Sequence, residues 1–314
     1  MRILVVGAGA TGGFYGGKLA LAGRDVTFLV RGKRAELLRG KGLTLRTPQG
    51  DETLAHPQLI STETLQSVAP FDLILLSVKA YGFDAAVNDF AATVGPRTLI
   101  LPLLNGMKHL DELSARFGAE HVLGGYCRIV GDIAEDGAVW QMTELDQLGY
   151  GALTAAQRSR IGEVDATLRN AGFTATCAHE VLREMWGKWA LLASLNAINI
   201  LTHGTIGAVE AVREFGGVGV RLATRVMEEV FAVAAAYGML PDETMTKTIH
   251  QRLTEPGSTL ESSMYRDFSR GYAVECDQIL GDLVRRAQAK GVDAPLVEAA
   301  FVQLRLYELK KRGS

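Results

Sequence analysis

Residues 1–34 read MRILVVGAGATGGFYGGKLALAGRDVTFLVRGKR. Arg2–Val6 is a short run of β-branched and leucine residues halted by glycines, which is how a buried strand reads and too short for an apolar helix. Gly7, Gly9 and Gly12 then set a GxGxxG pattern around Ala10 and Thr11, a helix opens near Gly13, and DVTFLV at 25–30 supplies a second strand. In such a turn the first glycine permits the tight bend, the second lets the backbone approach a pyrophosphate, and the third lets helix and strand pack closely. The helix N-terminus attracts the anion. A glycine-rich turn without a ligand is the plain alternative. The position of this one, after a strand and before a helix, favours a dinucleotide held at Gly7, Gly9, Ala10, Thr11 and Gly12.

The end of the second strand distinguishes the dinucleotides. An acid there accepts from a ribose 2′-hydroxyl, whereas this chain has Arg31, whose guanidinium suits a 2′-phosphate. NADPH is therefore the expected cofactor. Lys33 and Arg34 follow, either as helpers or as solvated charges.

Working outward, DLILLSV at 72–78 and RTLILPL at 97–103 flank an amphipathic segment around Ala85–Ala92. Strand and helix in alternation predict a parallel sheet covered on both faces, a Rossmann-type α/β domain. Lys79 and Asn105 should then emerge at the carboxyl ends of strands, where open α/β sheets bind ligands. A loop lysine and a turn-forming Asn-Gly remain the alternatives. VLGGYCRIV, AVWQM and QLGYG between His121 and Tyr150 read as short strands extending the sheet, and a helix is expected at Ala155–Asn170 before FTATC at 173–177.

Beyond His179 the period changes to 3.6. Helices are predicted over Val181–Asn199, Val218–Tyr237, Asp242–Leu253, Glu275–Lys290 and Pro295–Lys311, with Gly238, Gly271 and Gly291 at helix ends and Pro241 and Pro295 near starts. The chain thus reads as residues 1–178, a nucleotide-binding α/β domain, and residues 179–314, an all-α domain.

Composition narrows the partners. With 47% apolar and 22% charged residues and a net charge of −2, the chain carries no block of charge aimed at nucleic acid or membrane, which leaves a small molecule as the expected ligand. The apolar stretch Trp189–Leu201 is broken by Ser194, Asn196 and Asn199 and falls short of a membrane span. Arg2 and the apolar run after it are too brief for an export signal. Cys127, Cys177 and Cys276 are widely spaced without CxxC, and the six histidines show no zinc spacing, so neither a disulfide framework nor a metal site is expected. A reducing, cytoplasmic setting fits. The apolar helices Val218–Tyr237 and Pro295–Leu309 suit packing within their domain or against a second copy, so a homodimer is open.

On the helix Val181–Asn199, Lys188, Leu192, Asn196 and Asn199 share one face. Such a mixed face on a helix rich in tryptophan and leucine calls for partners or function, a lysine snorkelling at the core edge being the plain alternative. Ser262 and Ser263 precede one downstream helix and Glu275 begins the next, where an acid also suits the helix dipole.

Taken in order, GAGATGG, Arg31, SVKA at 77–80, NG at 105–106, WGK ending at Lys188, SSMYRD at 262–267 and VECDQILGD at 274–282 make the sequence similar to the ketopantoate reductase family over nearly its whole length. That resemblance implies NADPH-dependent reduction of 2-dehydropantoate (ketopantoate) to pantoate on the route to pantothenate. It implies Lys188 as the catalytic acid and Glu275 near the reacting centre, touching substrate or cofactor. It further implies Ser263 on the substrate carboxylate, Asn105 and Asn196 on substrate or cofactor, and Lys79 on the cofactor. Hydride donor and acid would then sit on different domains, which must close for reaction. The sequence departs from the family at Leu192, where better-known members carry asparagine, and at Leu104 and Ala197, where many carry glutamine and proline. Leucine cannot replace an amide's hydrogen bonds, so a more apolar 2-oxo acid is an alternative substrate. A non-catalytic NADPH sensor is another alternative, disfavoured by the joint presence of Lys188 and Glu275.

Overall fold

The computed structural model describes residues 1–65 and 67–312. The chain divides into two compact units, one of Met1–Leu104 with His109–Leu182, the other of Asn105–Lys108 with the chain from Arg183 onward.

The first unit begins β1 (Arg2–Val6), α1 (Ala10–Leu21), β2 (Asp25–Leu29), α2 (Gly32–Lys41), β3 (Leu43–Thr47), β4 (Gly50–Leu54), β5 (Gln58–Ile60), α3 (Thr62–Leu65), β6 (Leu73–Leu76), α4 (Phe83–Phe90) and β7 (Leu99–Pro102). It continues with α5 (Lys108–Phe117), β8 (Gly124–Ile133), β9 (Val139–Gly151), α6 (Ala155–Arg158), α7 (Ile161–Leu168) and β10 (Ala175–Cys177). The expected parallel sheet is present in the order β5-β2-β1-β6-β7. Ile3–Val6 and Leu73–Leu76 are buried at every position, as strands covered on both faces must be. Strand order reverses at β1, with β2 on one side and β6 on the other, and the turn after β1 opens at that switch point.

The stretch from His121 to Tyr150 does not extend this sheet. It forms one long antiparallel hairpin, β8 with β9, and β9 also pairs with β3 and β10 to build a second sheet, β10-β9-β3-β4. An isolated bridge between Ile100 and Val122 links the hairpin's start to the parallel sheet. The reason lies in the alternation along β9: Val139 and Gln141 are buried while Trp140 and Met142 are exposed, a two-faced pattern suited to a sheet with one wet side. The β3–β4 hairpin, absent from the sequence-based expectation, uses the same device through buried Leu43 and Leu45.

The second unit is helical: α8 (Val181–Thr202, which starts at the unit boundary), α9 (Ile206–Glu210), α10 (Glu214–Ala236, non-helical at Phe215–Gly217), α11 (Glu243–Leu253), α12 (Ser263–Ser269), α13 (Asp282–Lys290) and α14 (Pro295–Arg312). A π-helical turn, Asp277–Gly281, leads into α13. Gly291 ends α13 in the left-handed conformation that favours glycine. Side chains close several helix starts: Thr205 accepts from Ala208 N, Asp242 from Met245 N and Ser262 from Tyr265 N. The two carboxylate oxygens of Glu229 accept from Leu296 N and Val297 N at the head of α14. No helix among the described residues is long and apolar enough to cross a membrane.

Candidate functional site

In the first unit the glycine turn has the shape an anion needs. Gly7 takes φ +96°, and a Cβ on Gly12 would stand 2.0 Å from Ser77 Oγ and 2.1 Å from Gly7 O, so α1 lies directly against the turn and β6. Ser77 fixes this geometry by donating its hydroxyl to Gly7 O at 2.7 Å. Gly9, by contrast, is exposed, and a Cβ there would meet nothing within 4 Å. It caps α1 without a side-chain hydrogen bond, so the helix start, with half-buried Ala10 and Thr11, presents its N–H groups beside open space. The residues present therefore fit a dinucleotide pyrophosphate.

Arg31 stands at the end of β2 as the N-cap of α2, 54% exposed at its side chain and ion-paired with Asp89. Arg34 is not the solvated charge that was one of its two readings. Its Nε donates to Ala8 O at 2.8 Å and one terminal nitrogen to Gly137 O at 2.5 Å, while the other terminal nitrogen is buried without a hydrogen-bond partner. Burial pushes its pKa below the usual guanidinium value. Arg34 thus ties the glycine turn to the β8–β9 hairpin. Lys79 is exposed and follows β6 by three residues.

In the second unit, Lys188 Nζ donates to Asn105 Oδ1 at 2.9 Å. Asn105 reaches it because the next residue is glycine: Gly106 takes φ +82°, and a Cβ there would lie 1.9 Å from Gln278 O in the π turn. The same turn accepts from Trp189 Nε1 at Ile279 O, so α8 and the corner at Asn105 are both held on it. Asn196 shares the face of Lys188 and is 1% exposed; its Nδ2 donates to Leu192 O at 2.7 Å, leaving Oδ1 buried without a hydrogen-bond partner. Leu192 is half-buried. Asn199, on the same face, is structural: its amide bridges Gly204 O and Ser262 N.

Ser263 is the exposed first residue of α12, while its neighbour Ser262 is 3% exposed and consumed as the cap. Glu275 is half-buried, directly before the helical turn begun by Cys276. Both segments lean on α14. Phe268 of α12 packs on Tyr307 at 4.8 Å, and burial together with the carboxylate of Glu308 pushes the Cys276 thiol up to about 12. The structure thus brings Lys188 and Asn105 into contact and leaves Asn196 with an acceptor to offer. The contributions of Ser77, Arg34 and Gly106 escaped the sequence reading because each depends on contacts between segments distant in sequence.

Two family models match the chain, ketopantoate reductase PanE/ApbA over residues 3–155 and its C-terminal counterpart over residues 180–308. A relative from Bacillus subtilis (strain 168), the uncharacterized oxidoreductase YkpB, is 30% identical over 99% of this chain and 100% of its own. The 2-dehydropantoate 2-reductase of Pyrococcus horikoshii is 28% identical over 94% of each chain. Among solved structures, 2-dehydropantoate 2-reductase from Geobacter metallireducens GS-15 superposes with a TM-score of 0.85 at 27% identity, covering 98% of this chain and 99% of that one.

Proposed function

The chain belongs to the ketopantoate reductase family of oxidoreductases, and from that premise we propose that it reduces 2-dehydropantoate to pantoate with NADPH, serving pantothenate synthesis. The observation that carries the reading is the Lys188 ammonium held 2.9 Å from Asn105 Oδ1. NADPH, held by its pyrophosphate at the glycine turn, would supply a hydride from its nicotinamide to a ketone carbon. Lys188 stabilises the charge that develops on the ketone oxygen and gives up its proton there, a contribution of about a hundred- to ten-thousandfold for a general acid. Asn105, an acceptor, orients the ammonium. Glu275 lies near the reacting centre and takes part in catalysis, Ser263 binds the substrate carboxylate, and Asn196 Oδ1 accepts from a substrate hydroxyl. Arg31 favours the 2′-phosphate of NADPH through charge-assisted hydrogen bonds, and Lys79 contacts the cofactor.

A second reading rests on Leu192, whose half-buried side chain on this face offers no hydrogen bond. It assigns a more apolar 2-oxo acid to the same chemistry. Steady-state oxidation of NADPH with ketopantoate and with 2-oxoisovalerate, each run with Lys188→Ala, tests both readings. Preference for ketopantoate by orders of magnitude, lost in Lys188→Ala, is the expected result. Preference for 2-oxoisovalerate reassigns the substrate. Tight NADPH binding without reduction of either acid sinks the reductase proposal in favour of a sensor.

A further inference from the structure

Arg31 does not stand alone at the end of β2. Its guanidinium is paired with Asp89 of α4, and Asp89 is an acid in an unfavourable place. Phe83, Ala86, Val87 and Phe90 bury one face of α4, as in any helix with a core-facing stripe. Asp84 in its first turn suits the helix dipole, but Asp89 is the last residue but one, where the carbonyl end of the helix opposes a negative charge. The Asp89 side chain keeps only 15% of its surface, so water does little to offset that cost. A carboxylate so placed calls for a cation, and Arg31 supplies it.

A second acid faces the same guanidinium. Glu63 of α3 is exposed, and its carboxyl is held below the usual range by hydrogen bonds from Ser61 and from its own backbone N–H, with the charge of Arg31 adding to them. Of the cations that follow Arg31, Arg34 is spent on Ala8 O and Gly137 O, while Lys33 is exposed. Two carboxylates therefore stand around the cation offered to a 2′-phosphate.

We propose that Asp89 is a specificity-determining residue, whose carboxylate competes with the 2′-phosphate for Arg31 and so holds the preference for NADPH over NADH to about tenfold. The inference rests on the reading of Arg31 as the partner of that phosphate. A 2′-phosphate arriving at Arg31 must take the guanidinium from Asp89, leaving a half-buried carboxylate unpaired, or share it, leaving two anions side by side. Either way binding is weakened. NADH brings a neutral 2′-hydroxyl, which leaves the ion pair intact. The pair thus penalises one dinucleotide and spares the other, which an arginine alone would not do. Salt screens charge at a site as exposed as Arg31, so the penalty should shrink as ionic strength rises.

Equilibrium titration of the full chain with NADPH and with NADH, followed by nicotinamide fluorescence at low ionic strength, tests this without turnover. Asp89→Asn removes the charge and keeps the shape. It should tighten NADPH about tenfold and leave NADH unchanged, with the gain shrinking in high salt and absent from an Arg31→Ala background. Asp89→Ser should behave alike, and NADH affinity reports that each variant is folded. NADPH bound no more tightly by either variant, or a gain that persists without Arg31, overturns the proposal. An Arg31→Ala variant that binds NADPH as the wild type does removes the reading of Arg31 itself, and the proposal with it.

Discussion

Four helix starts of the second unit and the first helix of the first unit are finished in opposite ways. In the second unit Thr205, Asp242, Ser262 and Glu229 give side-chain oxygens to the first N–H groups of α9, α11, α12 and α14. In the first unit α1 begins at Gly9, which has no side chain to give. A glycine in place of a capping side chain forgoes only a few tenths of a kcal/mol, and here it leaves N–H groups available to an anion. The four closed starts serve stability; the open start of α1, on the glycine turn, is placed for a ligand.

Four changes press on this contrast, from the largest expected effect to the smallest. Gly9→Asp would supply the missing cap as a carboxylate. It should weaken NADPH binding on the order of a hundredfold, the equivalent of a charged hydrogen bond of about 3 kcal/mol, while leaving the thermal midpoint unchanged or raised. A variant that still binds NADPH normally, by fluorescence titration, would break the comparison. Arg31→Ala should weaken NADPH about tenfold and NADH little, so that the ratio of the two dissociation constants isolates the 2′-phosphate.

Ser262→Ala, on the closed side, should cost about 1 kcal/mol in urea unfolding and leave NADPH affinity untouched. Glu229→Gln probes the cap of α14 through pH. Burial raises the Glu229 pKa even though two backbone N–H groups pull it down. The folded chain therefore holds this proton more tightly than the unfolded chain does. The contribution of Glu229 to stability is full below the ordinary carboxylate value and is lost as pH rises through the elevated one. Glu229→Gln should flatten that slope, and an unchanged slope would assign it to other groups.

The fold class was legible because its signals are local. A strand of five residues, GAGATG and a second strand lie within thirty residues, and their order admits few architectures. The helical unit declared itself by period. The second sheet did not, since the pairing of β9 with β3 joins Trp140 to Arg46, residues nearly a hundred apart. Chemistry divided along the same line. Lys188 stood out as a charge on an apolar helix, and Arg31 by its place at a strand end. Neither the bond from Lys188 to Asn105 nor the clamp of Arg34 on Ala8 O leaves a trace in periodicity, because each joins distant segments. Asn199 shows the converse: a polar residue on the expected face whose amide is spent on the backbone.

The corner Asn105–Lys108 belongs with the helical unit although the chain on either side of it belongs with the other. The two units are therefore not exchangeable modules. A gene fusion that grafted residues from Arg183 onward to a foreign nucleotide-binding domain would leave behind Asn105, the acceptor of the Lys188 proton donor, and Gly106, which fits against Gln278 O. Recombination within this family should succeed only when these four residues travel with the helices.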